Sequence, residues 1–159
     1  MAVHVCSLKF DSERDGGPQS VSGGDDYHLV LFPYGENEST DPENMHAADG
    51  HAFPDDEESG LITPKAQAWG RLYAMVQWET KSGGATKEFR DQFARDPLAA
   101  TPDTTCTEHR AATPGMQCFA KTWGIYVSPD VPLGLRVTHG ADGVSLGLVL
   151  AEFKLEYIT

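Results

Sequence analysis

Positive charge is what this sequence has least of: twelve Lys and Arg stand against twenty-four Asp and Glu, a formal net charge of −12. Such a surface repels nucleic-acid phosphate and anionic lipid headgroups unless its bases are gathered in one place. They are not gathered. Lys9 and Arg14 are the only basic side chains before Val30, and nowhere do three fall close together. The sequence therefore predicts no direct contact with nucleic acid and none with a membrane surface.

Long apolar runs are missing too. Residues 1–10 interleave His4, Cys6 and Lys9 with isolated apolar residues, unlike the apolar core of a secretion signal, and no run approaches membrane-spanning length. A soluble product is expected. Cysteine is scarce: Cys6, Cys106 and Cys118 are an odd number without regular spacing, which argues against a disulfide framework and a structural zinc site and predicts reduced, mostly buried thiols. A loop closed by Cys106 and Cys118 in an oxidising compartment is the less favoured reading. Catalytic signatures are absent as well. There is no Gly-x-Ser-x-Gly, no Gly-rich phosphate loop between a strand and a helix, and no Asp-x-Asp-x-Asp-Gly calcium loop. With twenty-four acids to choose from, pairs of carboxylates carry no information about glycoside cleavage.

What is present is a 40% hydrophobic chain with 16 Gly and 10 Pro and almost no helical periodicity, the composition of strands joined by turns. Strand patterns run over residues 2–10, 27–32, 68–79 and 116–127, with Pro33 stopping the second. In residues 68–79, Leu72, Ala74, Val76 and Trp78 share a face opposite Trp69, Tyr73 and Met75. Phe119, Trp123, Ile125 and Val127 are the core candidates of residues 116–127. Thr86 reads as the cap of one short helix through Asp96 that presents Phe89 and Phe93 together, with Pro97 ending it. Residues 11–26 and 99–115 read as connections.

The longest β signal is residues 132–158, read as a hairpin turning through His139-Gly140-Ala141-Asp142-Gly143. In its second strand Leu146, Leu148 and Leu150 share one face, whereas Phe153, Leu155 and Tyr157 share the other parity, a change near Ala151 that either a bulge or a strand buried on both faces at its start explains. The fold class that follows is all-β: one antiparallel β-sandwich over 1–159, jelly-roll or Greek-key, with long loops, one short helix and a long acidic surface loop over 35–60.

Two constellations suggest chemistry. Within the acidic loop, Asp41, Glu43, His46, Asp49 and His51 carry the donors of a divalent-cation site, but at no known ligand spacing, so a solvated charged loop is the preferred reading. Asn37-Glu38-Ser39 in the same loop fits the glycosylation pattern, with no secretion signal beside it. Trp69, Trp78 and Trp123 would stack on sugars if exposed, but at strand periodicity they read as core. No catalytic, cofactor or metal residue is assigned, and no cofactor is expected.

Pro132-Leu-Gly-Leu-Arg-Val, followed by a Gly-rich turn and Gly147-Leu-Val-Leu-Ala-Glu-Phe-Lys-Leu-Glu-Tyr157, resembles the closing strands of jelly-roll capsid and virion-decoration proteins of small icosahedral viruses and phages. Trp69-Gly-Arg-Leu-Tyr-Ala-Met-Val-Gln-Trp78 is similar to a mid-sheet strand of that fold. The likeness covers about a third of the chain. It implies a non-enzymatic structural protein, a capsid, projection or decoration subunit in a virion, whose partners are identical subunits or a larger protein shell. Lacking a basic arm, such a subunit would face outward or be a coat component whose genome contacts are made by another chain. The alternatives are a carbohydrate-binding module that takes a surface glycan and, third, a small hydrolase.

Overall fold

The computed structural model describes residues 1–35, 40–80 and 88–159. Nine strands are found among them: β1 (Val3–Asp11), β2 (Gln19–Ser22), β3 (His28–Leu29), β4 (Ala68–Trp78), β5 (Glu88–Arg95), β6 (Asp103–Ala111), β7 (Gln117–Val127), β8 (Leu133–His139) and β9 (Ser145–Ile158). They form two antiparallel sheets. Sheet one has the order β1-β9-β4-β7, with β2 also beside β9, and sheet two the order β3-β8-β5-β6. The pairs β1–β9, β3–β8, β4–β7 and β5–β6 are nested in sequence, as in one long antiparallel ribbon rolled over on itself. That nesting defines a jelly roll.

β9 is the central member. It pairs with β1 from Val3↔Ile158 to Asp11↔Leu150 on one side and with β4 on the other. Phe153, Leu155 and Tyr157 point inward from it onto Leu72 and Ala74 of β4 and Cys6 and Leu8 of β1, all buried. Across the sandwich lie Phe89 and Phe93 of β5 and Leu133, Leu135 and Val137 of β8. The Phe153 ring sits between those of Phe32 and Phe93, with centroids 6.3 and 6.0 Å away. Each such buried side chain contributes about 1.5–3 kcal/mol.

The predicted change of parity is real. Gln77 pairs with Leu150 and Trp78 with Leu148, so Val149 is an extra residue, and the buried set passes from Leu146 and Leu148 to Ala151, Phe153, Leu155 and Tyr157.

Three expectations need correction. Residues 132–158 hold two strands but no hairpin, because β8 lies in sheet two and β9 in sheet one. The corner after β2 separates them: Gly23 donates to the Val144 carbonyl and Gly24 to that of His139. A Cβ on Gly23 would stand 2.0 Å from the Ala141 carbonyl oxygen, so the crossing needs glycine there. The expected helix through Asp96 is strand β5, with Phe89, Asp91 and Phe93 on its inward face, and Thr86 lies outside the described residues. Residues 103–111 form β6 and residues 19–22 form β2 rather than connections.

The long segment between β3 and β4 is anchored where it is described. Thr40 bridges Ser7 of β1, Ile62 bridges Leu133 of β8, and Phe32, Met45 and Ile62 are buried core. The Tyr157 hydroxyl fixes it further by accepting from the Lys65 N–H at 3.0 Å and lying 3.8 Å from the Met45 sulfur. A 3-10 turn, Glu57–Gly60, is capped by Asp56, whose carboxylate accepts from the Glu58 N–H. Asn37-Glu38-Ser39 lies outside the described residues.

Candidate interaction face

The outward face of sheet one carries an unbroken row of apolar side chains at one end. Val3 pairs with Ile158, Gly70 pairs with Tyr157 one position further in, and Trp69 pairs with Tyr126, so four adjacent strands each contribute one member. Strand alternation turns all four outward. Val3 is 64% exposed, Ile158 55%, Trp69 69% and Tyr126 51%. The Trp69 indole lies over Gly124 of β7, where a Cβ would come within 2.9 Å of its Cζ2. Scattered apolar residues on a surface need no explanation, but a contiguous row including Trp and Tyr marks a contact surface.

Beside this row the face becomes polar. The Tyr73 hydroxyl donates to Glu156 Oε1 at 2.6 Å, and Arg71 lies 3.7 Å from the same oxygen. A groove of about 380 Å³ runs between Val3, Trp69, Arg71 and Ile158, and a wider one of about 590 Å³ continues along Tyr73, Met75, Thr122 and Lys154.

A second apolar feature stands at the β6/β7 edge. Trp123 pairs with the buried Leu72, and its parity turns it toward the gap between the sheets, yet it is 45% exposed. The space beside it is filled by charge. The buried ammonium of Lys121 lies 2.6 Å from Asp91 Oδ1, off the hydrogen-bond direction, donates to the Cys106 carbonyl at 2.6 Å and sits 4.5 Å over the Phe93 ring. Arg110 donates from Nε to Asp91 Oδ2 at 3.0 Å and pairs with Glu108 at 2.9 Å. A bulge makes room for this cluster: Cys106 and Thr107 of β6 oppose the single Gln92 of β5, with Cys106 at φ 51°. Burial raises the pKa of the Cys106 thiol.

Four of the five residues of the acidic-loop constellation, Asp41, Glu43, His46 and His51, are engaged with other partners. The Asp41 carboxylate accepts from the backbone N–H groups of Met45 and His46, Glu43 meets the His4 ring at 2.5 Å, and His51 meets Asp56 at 2.6 Å. His46 is buried, stacked on Tyr34 and bonded to the Ser59 carbonyl. Among the described residues no group of three or more His, Cys, Asp or Glu is placed to hold a metal ion. The three cysteines form no disulfide. Of the tryptophans only Trp78 is core, which corrects the expectation for Trp69 and Trp123.

One hydroxyl–imidazole–carboxylate chain exists that motif reading missed, because its members are far apart in sequence. His4 Nε2 is 2.8 Å from Thr159 Oγ1, and its Nδ1 meets Glu43. The Thr159 N–H is bonded to the Ala2 carbonyl. The chain ties the end of β9 and the long loop to β1, with His4 stacked on Tyr157.

The nested pairing and the two four-strand paths place the chain among jelly-roll β-sandwiches. No protein-family model matches the sequence, and no curated protein does. Solved structures do match in fold. The Eiger TNF of S. frugiperda superposes with a TM-score of 0.63 at 12% identity, over 100% of this chain and 94% of that one. The globular domain of zebrafish complement 1qA follows with 0.62 at 9% identity, over 99% and 97%. Murine APRIL gives 0.60 at 12% identity, over 99% and 100%. At these identities the likeness is one of fold.

Proposed function

We propose that the protein is a non-enzymatic recognition module that works as a closed ring of identical copies, assembled through the outer face of sheet one. The observation that carries this is the row Val3–Ile158–Trp69–Tyr126, four exposed apolar side chains contributed by four adjacent strands. The second apolar surface, Trp123 at the β6/β7 edge, is a different patch, and a contact between unlike patches repeats head to tail until it closes. Three copies are the fewest that such a contact can close. The loops then face outward, where a partner protein reaches them.

A virion projection or decoration subunit is one form of such an assembly, and the resemblance of the closing strands supports that narrower reading. The neighbours in fold are TNF-family and complement proteins, which supports a displayed recognition surface more than a shell. A second reading rests on Trp69: an exposed indole beside the polar Arg71, Tyr73 and Glu156 is the equipment of a glycan platform.

Trp69→Arg tests the assembly. Sedimentation equilibrium should show a multiple of 17.3 kDa for the natural chain and 17.3 kDa for the variant, with an unchanged melt apart from the loss of assembly. A natural chain that is monomeric but whose tryptophan fluorescence saturates with a sugar would replace assembly with glycan binding.

A further inference from the structure

The charge of the chain is not spread evenly. Between Asp15 and Pro64 there are twelve acidic residues and no Lys or Arg, while the remaining twelve acids and twelve bases cancel. This third of the chain accounts for the entire net charge of −12. It builds the β2/β3 side of the sandwich and the described parts of the loop that covers it.

On that side a cavity of about 380 Å³ opens between the two sheets, within the size range of small-ligand sites. Leu31 and Pro54 give it accessible apolar lining over the packed core residues Val21, Val30 and Leu148, and Tyr27, His28 and Glu57 stand among its polar lining. Its rims are tied together. The Gln19 side chain on β2 donates to the Leu31 carbonyl at 2.7 Å and accepts from the Leu31 N–H at 3.0 Å, and Ser22 of β2 meets the ring of His28 at 2.9 Å. Burial raises the pKa of the Tyr27 phenol, which stays neutral, and its ring already holds one cation: the Arg136 guanidinium lies 5.6 Å from its centroid. The cavity thus combines apolar and polar lining, an aromatic ring and the Glu57 carboxylate in the acidic third of the chain.

We propose that this cavity binds a protonated amine or guanidinium carried on an apolar stem, either a Lys or Arg side chain of an extended basic segment or a free alkylamine of the same shape. The stem replaces water against Leu31 and Pro54, and the cation stays at the mouth near Glu57. This site is independent of the proposed assembly. Leu148 and Ile158 are ten residues apart on β9, about 33 Å along the strand at roughly 3.3 Å per residue, so a ring built on the Ile158 end leaves the cavity open.

Amide-resolved NMR titrations at 0.15 M NaCl test the proposal. The probes are n-pentylammonium, its neutral counterpart n-pentanol, and the peptides Ac-Gly-Lys-Gly-amide and Ac-Gly-Gln-Gly-amide. Saturable shifts at Val21, His28 and Val30 are expected with n-pentylammonium, with n-pentanol at least about fivefold weaker. Glu57 is exposed, and Glu57→Gln should weaken n-pentylammonium about fivefold with the melting temperature unchanged. Shifts at the same amides with the Lys peptide but not the Gln peptide identify a side chain as the source of the cation, and amine binding without peptide binding identifies a free amine. Equal binding of n-pentanol, no saturable shift with any cationic probe, or shifts spread over the acidic surface without preference for the cavity would overturn the proposal.

Discussion

The buried cluster between the sheets makes an asymmetric prediction. Asp91 has two cationic partners, Lys121 at 2.6 Å and Arg110 at 3.0 Å, whereas Lys121 has one anionic partner and otherwise only the Cys106 carbonyl and the Phe93 ring. Both side chains are almost fully buried. Replacing Lys121 with Met leaves the carboxylate held by Arg110, and the cost should be about 1–3 kcal/mol, that of losing the charged hydrogen bond from Lys121 to the Cys106 carbonyl. Replacing Asp91 with Leu strands a buried ammonium, and its cost should reach about 3–5 kcal/mol. That is a large share of a typical 5–15 kcal/mol stability. In the double variant Asp91→Leu, Lys121→Met no ammonium is left unpaired, so it should be more stable than Asp91→Leu alone. Urea unfolding of the four proteins reads this out as midpoints and a coupling energy. Two single variants each within about 0.5 kcal/mol of the natural chain would refute the reasoning, since that is the range of surface substitutions.

Removing Glu152 to Thr159 should abolish cooperative folding, because it takes Phe153, Leu155 and Tyr157 from the middle of sheet one; limited proteolysis and a thermal melt check it. Phe153→Asp should behave similarly, and Lys154→Asp, on the outward face, should change stability by less than about 1 kcal/mol. The ring of His51 should titrate above the ordinary histidine value of about 6.5, since its bond to Asp56 favours the charged form, and Asp56 should titrate below its usual range for the same reason. Their mutual support is then lost as pH rises through the His51 value and as it falls through the Asp56 value, and is complete between about pH 4 and 6.5. An Asp56→Asn variant whose His51 midpoint does not move would contradict this. Chelator should leave the melting temperature unchanged, because Asp41, Glu43 and His51 are spent on other partners; a fall of many degrees reversed by calcium or zinc would reassign them as ligands.

The sheets were legible where one inward face is apolar and unlegible where chemistry from distant strands decides. Alternation in residues 68–79 and the parity change near Ala151 translate directly into β4 and the bulge at Val149, because β4 and β9 are buried by their own side chains. β5 was hidden by Asp91. A carboxylate between Phe89 and Phe93 on the inward face breaks the strand pattern and leaves two Phe four apart, the spacing of a helix face, and only Lys121 and Arg110, from β7 and β6, make that position tolerable. β6 is a polar edge strand without apolar alternation to betray it. The supposed hairpin failed because local turn residues cannot show which sheet the next strand joins; that depends on Gly23, more than a hundred residues earlier. In the candidate face the alternation of β4 placed Trp69 opposite Leu72 correctly, but its exposure depends on whether anything covers sheet one. Trp123 has core parity, but β7 is the last strand of its sheet, and parity alone does not show that an edge position is left uncovered.

Native mass spectrometry of the full chain across a concentration series measures the central claim most directly. The account predicts a discrete species of three times 17.3 kDa that survives dilution into the micromolar range and disappears in Trp69→Arg. A single 17.3 kDa species at every concentration, or a ring that persists with arginine at position 69, would contradict it.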